Sequence, residues 1–159
     1  MRGSVSPANS RCSIARSLQV VGEKWALLIV RDVQRGHTRF STLRARLEVA
    51  PDVLADRLAK LVELGVLERR GYRTPGERER AEYHLTAAGT DLLPVLAALA
   101  AWGDAHVPSG FGPAAIFTDA ATGDPVELAF VRADGSRLGL GDVAVVRGPG
   151  ALEAAPVAP

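Results

Sequence analysis

Residues 39–70, RFSTLRARLEVAPDVLADRLAKLVELGVLERR, are the stretch that decides the fold. Apolar residues recur there at helical spacing, which predicts a short helix from about Ser41 to Leu47 and a longer helix over 51–64. Pro51 suits the first position of the longer helix because it has no amide hydrogen to leave unpaired, and Gly65 ends that helix. The side chains predicted to face inward are Phe40, Leu43 and Leu47, then Leu54, Leu58, Leu61 and Val62.

Two more helices are predicted before this stretch. They run from about Cys12 to Val21 and from about Lys24 to Gln34, and Gly22 interrupts the chain between them. Gly36 ends the second helix in the manner of a C-terminal glycine. Residues 37–39 then form a short link or a short strand.

After the longer helix the pattern changes to that of a β-hairpin. Strands are predicted at 66–70 and 82–85, joined by a long charged tip. Thr86 stands where an N-cap belongs, ahead of a long helix predicted from about Ala87 to His106. Pro94 lies inside that helix and should kink it or leave it locally irregular. This order of helices and hairpin predicts a winged helix-turn-helix, a mainly α fold with a β-wing (α+β).

The composition divides the chain into four parts. We predict a disordered tail at 1–10, a helical domain at 11–107, a small β-rich extension at 108–150 and a loose tail at 151–159. The extension is rich in Gly, Pro and Asp and loses the helical period. Its predicted strands are 115–117, 127–132 and 142–146, with Asp134-Gly135 as a hairpin-type turn.

The charges are distributed unevenly along the 159 residues. Net charge is only +1, but residues 1–46 carry nine Arg or Lys and two acids, whereas residues 104–159 carry three bases and seven acids. A basic front and an acidic tail are typical of nucleic-acid binders. Cys12 is the single cysteine, so no intrachain disulfide framework is possible and a reducing compartment is the simple interpretation.

Neither a signal peptide nor a membrane span is expected in this sequence. Residues 1–10 lack the apolar core of a signal peptide, and the longest mostly apolar run, 92–102, is too short to cross a bilayer. We therefore expect a cytoplasmic protein with no membrane partner.

The winged helix-turn-helix order points to double-stranded DNA. A helix about 10–12 Å across fits the major groove of B-DNA, and a hairpin wing can reach the minor groove or phosphates. The predicted recognition helix is 51–64. The candidate DNA-contacting residues are Arg39, Ser41, Arg44, Ala50, Pro51, Asp52, Ala55, Asp56, Arg57 and Lys60, together with Arg73, Arg78 and Arg80 in the wing.

Two observations weigh against a simple basic interface. Asp52 and Asp56 would repel phosphates, although a carboxylate can accept a hydrogen bond from cytosine. The wing run at 77–80 alternates Glu and Arg, and such runs are also typical of ordinary solvated surface. Flanking arginines would then hold phosphates while a few helix residues read bases.

Six short motifs occur in an order that resembles one known family. They are Cys12-Ser13-Ile14-Ala15, Val21-Gly22-Glu23-Lys24-Trp25, Arg39-Phe40-Ser41-Thr42-Leu43, Leu54-Ala55-Asp56-Arg57-Leu58 with Leu61 and Gly65, Tyr83-His84-Leu85-Thr86 with Gly89, and Trp102-Gly103. Residues 12–103 resemble the HxlR-type transcriptional regulators, which are related to the MarR regulators. No single motif is specific, but six in the right order are.

The resemblance implies a homodimer on a palindromic operator. In such proteins the first and last helices of the DNA-binding unit pack across the two-fold axis, which suits two half-sites about one DNA turn apart. Alternatively, the leucines of the last helix complete this chain's own core. The interface residues expected from the resemblance are Ile14, Leu18, Leu92, Leu96 and Leu99.

The resemblance also suggests two ways in which a signal could act. Some relatives use a cysteine at the position of Cys12 as a thiol sensor, and Arg11 and Arg16 would favour its thiolate. The alternative is an inert small core residue. A pocket near Trp25 and Trp102 could bind a small-molecule effector, unless both are ordinary core aromatics.

No cofactor, metal or catalytic group is expected. The extension resembles one that usually carries Cys-Gly pairs with zinc-ribbon spacing, but Thr122-Gly123 and Asp134-Gly135 stand in their place, so no zinc site is expected. One cysteine and three scattered histidines give no catalytic triad, and we do not expect an enzyme. The competing function is a protein-interaction module on a winged-helix scaffold that has lost DNA binding, which the acidic tail and the recognition-helix acids would favour.

Overall fold

The computed structural model describes residues 10–73 and 80–151. They form two compact units, one of residues 10–90 with 147–151 and the other of residues 91–146. Most of the two predicted tails, and Arg78 of the wing, lie outside the described residues. The domain boundary between 107 and 108 stays a prediction.

The first unit contains five helices and one hairpin in the described residues. In chain order they are α1 Ser13–Val21, α2 Lys24–Gln34, α3 Phe40–Leu47, α4 Pro51–Glu63, β1 Leu67–Tyr72, β2 Arg80–Leu85 and α5 Ala87–Thr90. The predicted helices and strands of this part are confirmed to within two residues, apart from the last helix. All described buried hydrophobic residues belong to this unit: Val21, Ala26, Ile29, Val30, Val33, Leu43, Leu47, Val49, Leu54, Leu58, Leu61, Val66 and Leu67.

The wing is an antiparallel pair of strands tied to the helices at its base. Leu67 lies opposite Leu85, and Tyr72 lies opposite Arg80. The residues before α3 add a third, single-residue strand: Arg39 forms an isolated bridge with Glu82. The predicted link at 37–39 is therefore a short strand element, and it fixes the start of α3 against β2.

The exit from the wing explains the spacing of Thr86 and Gly89. The Gly89 amide donates to Thr86 Oγ1 at 3.1 Å, and that hydroxyl donates to the Gly65 carbonyl at 2.6 Å. Thr86 is thus an N-cap that also holds the end of α4. A Cβ on Gly89 would lie 2.2 Å from the Val66 carbonyl oxygen, so only glycine fits this approach.

The single helix predicted over 87–106 is two helices in the structure. Helix α5 ends at Thr90, and α6 runs from Leu93 to His106. Pro94 lies in the first turn of α6, where its missing N–H removes no helical hydrogen bond. The proline therefore follows a break in the helix and does not kink it.

The second unit contains α6, a hairpin whose two strands have two residues each, and a turn of 3-10 helix. Strands β3, Phe130–Val131, and β4, Arg137–Leu138, flank the Asp134-Gly135 turn, which confirms that turn. The strands predicted at 115–117 and 142–146 are wrong. In the segment 115–117, Phe117 accepts a backbone hydrogen bond from the Val126 amide but no strand forms. The segment 142–146 begins at the end of the 3-10 turn and forms no strand either.

The helices can be compared with the length and hydropathy that a membrane span needs. None of the helices in the two described stretches is long and apolar enough to cross a bilayer.

Candidate nucleic-acid interface

The helix-turn-helix is built from α3, a tight turn and α4. Glu48 ends α3 in the left-handed region, with φ of 51°, and Val49 is buried beneath the turn. Leu54 and Leu58 are fully buried, so they fix which face of α4 points inward. Because of helical periodicity, the opposite face must carry the residues between them.

The outward face of α4 carries acids and alanines. Asp52, Ala55 and Asp56 are exposed, as are Ala50 and Pro51 at its start. Ala50 is the N-cap and makes no side-chain capping hydrogen bond, as its side chain predicts. All five of these candidate DNA-contacting residues therefore share one accessible surface.

Two other candidates on α4 are turned toward the start of α2. Arg57 forms a close ion pair with Glu23, and Lys60 Nζ lies 3.9 Å from the same carboxylate. The Arg57 Nε is buried and has no hydrogen-bond partner among the described residues. Both cations thus lie beside the outward face, not on it, and their contact with DNA stays a prediction.

An open groove runs between α3 and the beginning of α4. Its volume is about 560 Å³. It is lined by Ser41, Arg44, Ala45, Glu48, Val49, Ala50 and Pro51. The structure therefore brings together four candidates from both helices, and Arg44, exposed, supplies the positive charge.

A second cleft joins the start of α3 to the wing. It measures about 290 Å³ and is lined by Arg39, Phe40, Ser41, Tyr72, Arg80, Ala81 and Tyr83. The Arg39 guanidinium lies 4.4 Å above the Tyr72 ring and donates to Glu82 Oε1 at 2.9 Å. That hydrogen bond lowers the pKa of Glu82 below its usual value, so this carboxylate stays charged. Arg73 is exposed at the described end of β1.

Helix α2 contains a buried carboxylate that sequence reasoning does not detect. Asp32 is fully buried and accepts hydrogen bonds from Arg31 Nε at 2.9 Å and Arg46 Nε at 3.3 Å. Burial alone would raise its pKa, but the two guanidinium groups outweigh burial, and the pKa lies below the ordinary value. Arg46 thereby anchors α3 to α2. Its fourteen-residue separation from Asp32 left no local pattern to detect.

The predicted sensor residues are placed at accessible positions. Cys12 is exposed and occupies the N-cap of α1. Trp25 is half-buried with Lys24 Nζ 4.6 Å from its ring centre. Trp102 is 60% exposed and lies 5.2 Å from the His106 ring. Trp102 is therefore not a core aromatic in the single chain, and because the two tryptophans belong to different units, a shared pocket stays a prediction.

The described residues offer no metal centre. Within 10–73 and 80–151, no group of three or more His, Cys, Asp or Glu side chains could hold an ion.

Comparison with known families agrees with this geometry. The model of the HxlR-like helix-turn-helix family matches residues 20–110, from the end of α1 through α6. The chain belongs to the HxlR-like helix-turn-helix family. The matched region contains helices α3 and α4 of the helix-turn-helix, the wing and the Thr86 cap.

Individual relatives extend this picture. The HxlR-like chain is 43% identical over 101 residues to an uncharacterized HTH-type transcriptional regulator of Mycobacterium tuberculosis, MT3179, a match that covers 64% of this chain and 63% of the relative. The crystal structure of PA1607, a candidate transcription factor, superposes with a TM-score of 0.75 at 34% identity, covering 91% of this chain and all of that one. That share must include part of the extension after residue 110.

A third relative is the reduced form of the Bacillus subtilis transcriptional regulator YodB. Its TM-score is 0.52 at 27% identity, and the match covers 60% of this chain and 93% of YodB. The similarity to YodB thus concerns a little over half of the HxlR-like chain.

Proposed function

We propose that this chain is a sequence-specific, DNA-binding transcriptional regulator. In the proposed complex α4 enters the major groove and the wing lies on the minor groove and phosphates. The observation that carries the proposal is the accessible outer face of α4, presented beside the groove that Arg44 lines. Membership of the HxlR-like family supports it.

The charges on this surface suggest how the contacts are divided. The outward face of α4 has Asp52, Ala55 and Asp56 and so suits base contacts more than phosphate contacts. Arg44 and the wing arginines would hold phosphates on either side. Arg57 and Lys60 would contact DNA only if they left the Glu23 carboxylate and paired with a phosphate oxygen instead.

The test is DNA binding by fluorescence anisotropy over a salt series, with the DNA upstream of the protein's own gene. We expect tight binding that weakens steeply with salt, because phosphate contacts release counterions. Arg44→Ala should weaken binding to all sequences and reduce the slope of log K against log salt by about 1. Arg35→Ala is the matched control. Arg35 is an exposed arginine at the end of α2 and lines neither the groove between α3 and α4 nor the cleft beside the wing.

A second candidate function has its own supporting observation. The acids on the outward face of α4, Asp52 and Asp56, also suit a protein partner. If no salt-dependent binding appears on any genomic fragment, the DNA-binding proposal fails and a protein-interaction module takes its place.

We further propose that the regulator is a homodimer. The support is apolar surface on two helices: Ile14 and Leu18 of α1 are 72% and 57% exposed, and Leu99 of α6 is 49% exposed. Leu92 and Leu96 are half-buried. Sedimentation equilibrium should show a dimer, and Leu99→Asp should shift it toward monomer. A wild-type protein that stays monomeric at all concentrations would contradict the proposal.

Regulation by a small-molecule effector or by oxidation of Cys12 completes the proposal. The exposure of Cys12 supports the thiol route, and so does similarity to a regulator solved in a reduced form. Mild oxidation should release the DNA, and Cys12→Ser should abolish that release. If oxidation has no effect, the small-molecule route remains, with tryptophan fluorescence as its readout. Such a regulator would act in the cytoplasm and catalyse no reaction.

A further inference from the structure

The second unit lacks a core within the single chain. No described residue from 91 to 146 is buried, although α6 is built largely from Leu, Val and Ala. In the first unit thirteen hydrophobic residues are buried. A segment of this size needs buried apolar surface to offset the entropy of ordering its backbone. Something outside this unit must therefore supply that buried surface.

The extension after α6 has the same property. Its only ladder, β3 with β4, pairs two residues on each strand, and an isolated ladder of that length is not stable in water. Phe117, Leu138 and Val143 are partly buried, but ten other large apolar side chains are between half and almost fully exposed, which marks an interaction surface. They are Val107, Phe111, Ile116, Val126, Leu128, Phe130, Val131, Leu140, Val145 and Val146.

Charge narrows the choice of partner. Residues 107–146 contain five acids and two bases, so two extensions would repel each other. Helix α1 and the two residues before it, 11–21, contain two arginines and no acid. The same helix exposes Ile14 and Leu18. An apolar, basic helix of this chain thus complements an apolar, acidic extension.

We propose that the extension, residues 107–146, of one copy packs against α1 of a second copy. This inference rests on the proposed homodimer and adds the extension to its interface. The contact would give the extension the buried surface that its own unit lacks and would cover Ile14 and Leu18. Arg11 and Arg16 would face its carboxylates.

Hydrogen exchange on the full-length protein tests this inference. The reporting amides are those of Val126 and Arg132, which donate to the Phe117 and Ser136 carbonyls. We expect both to be protected in the dimer and unprotected in monomeric Leu99→Asp, because the substituted leucine lies on α6 and outside the extension. Dilution of the wild type below its dissociation constant gives the same comparison without a substitution.

A pair of variants tests the extension directly. Phe130→Ser should raise the dimer dissociation constant at least about tenfold, since it removes one large apolar contact. It should also lower the protection of α1 amides. Ala133→Ser, an exposed position in the hairpin turn, is the matched control and should change neither quantity.

The outcomes separate this inference from the homodimer proposal. If the dimer forms but Val126 and Arg132 are equally protected in the monomer, the extension packs on its own chain and the inference is overturned. If Phe130→Ser leaves the dimer and α1 unchanged, the inference is also overturned, while the homodimer stands. If the wild type never dimerises, both fail together.

Discussion

The two units of this chain differ in where their apolar side chains lie. In the first unit the buried hydrophobic residues run from Val21 at the end of α1 to Leu67 at the start of β1. In the second unit, α6 and the extension expose theirs. The difference indicates that the hydrophobic core of the first unit supplies most of the stability of the single chain. In the proposed homodimer the second unit would contribute through contacts between copies.

This contrast also separates two roles. A DNA-reading surface must be held rigidly, and α4 is held by a fully buried face and by its pairing with Glu23. A dimerisation surface, which we propose for α6, must stay apolar and accessible before assembly. Matched substitutions in the two units can therefore break or sharpen the comparison.

The largest effect is expected from a truncated leucine. Leu54→Ala should lower the free energy of unfolding by about 2–5 kcal/mol, because a fully buried side chain leaves a cavity. Leu140, which is 82% exposed, is the matched position in the second unit, and Leu140→Ala should stay within about 0.5 kcal/mol. Urea denaturation measures both, at a protein concentration below the dimer dissociation constant so that no contact between copies contributes. Equal losses would show that the second unit has a core of its own.

Added methyl groups should have the next largest effect. Gly89→Ala places a Cβ 2.2 Å from the Val66 carbonyl oxygen, so the backbone must shift, and we expect a loss of about 1–3 kcal/mol. Gly103→Ala, in α6, meets nothing within 4 Å. Because alanine favours helix, that variant should gain up to about 1 kcal/mol. Thermal unfolding of the two variants measures both changes in stability. A Gly89→Ala protein as stable as the wild type would contradict the close approach of Gly89 to the Val66 carbonyl.

The buried carboxylate predicts a pH dependence. The folded pKa of Asp32 is lowered, so its stabilisation is present above the ordinary pKa of about 4 and is lost as pH falls through the folded value. Asp32→Asn should cost about 1–2 kcal/mol at pH 7, a modest figure because Arg31 and Arg46 remain partly in water.

The difference between Asp32→Asn and the wild type should shrink between pH 5 and pH 3, as measured by urea midpoints. Asp134, whose pKa is lowered by hydrogen bonds from Ser136 in the exposed hairpin, supplies the control. Because its hairpin has no buried residue, Asp134→Asn should change the midpoints much less than Asp32→Asn at both pH values. An unchanged pH profile in Asp32→Asn would show that its ion pairs do not contribute to stability.

Sequence patterns predicted the first unit well because each element carries its own signal. The stripe of Leu54, Leu58 and Leu61 gave α4, and Gly65, with φ of 72°, is the glycine stop that the pattern requires. The position of Thr86, just before a predicted helix, is enough to predict that it is an N-cap. In these elements local propensity and tertiary packing favour the same structure.

The remaining errors lie where contacts between elements distant in sequence, or the contact that we propose between copies, decide the structure. The pairing of Asp32 with Arg46, and of Arg57 with Glu23, depends on how helices distant in sequence pack. The strands predicted at 115–117 and 142–146 were apolar runs, but in the single chain they have no sheet to join. Apolar composition alone cannot tell a strand from an exposed interface segment.

The smallest effect is expected at the turn of the helix-turn-helix. Glu48 has φ of 51°, a conformation that is strained for a side chain with a Cβ. Glu48→Gly should therefore stabilise the protein by up to about 1 kcal/mol, the relief of strain being partly offset by the entropy of a more flexible unfolded chain. Glu48→Ala separates the effects, because it removes the carboxylate but keeps the Cβ. In the second unit Gly135 has φ of 84°, and Gly135→Ala should strain the hairpin without moving the urea midpoint. Stabilisation by both Glu48 variants would assign the effect to charge, and a gain confined to glycine would assign it to the backbone of the turn that positions α4.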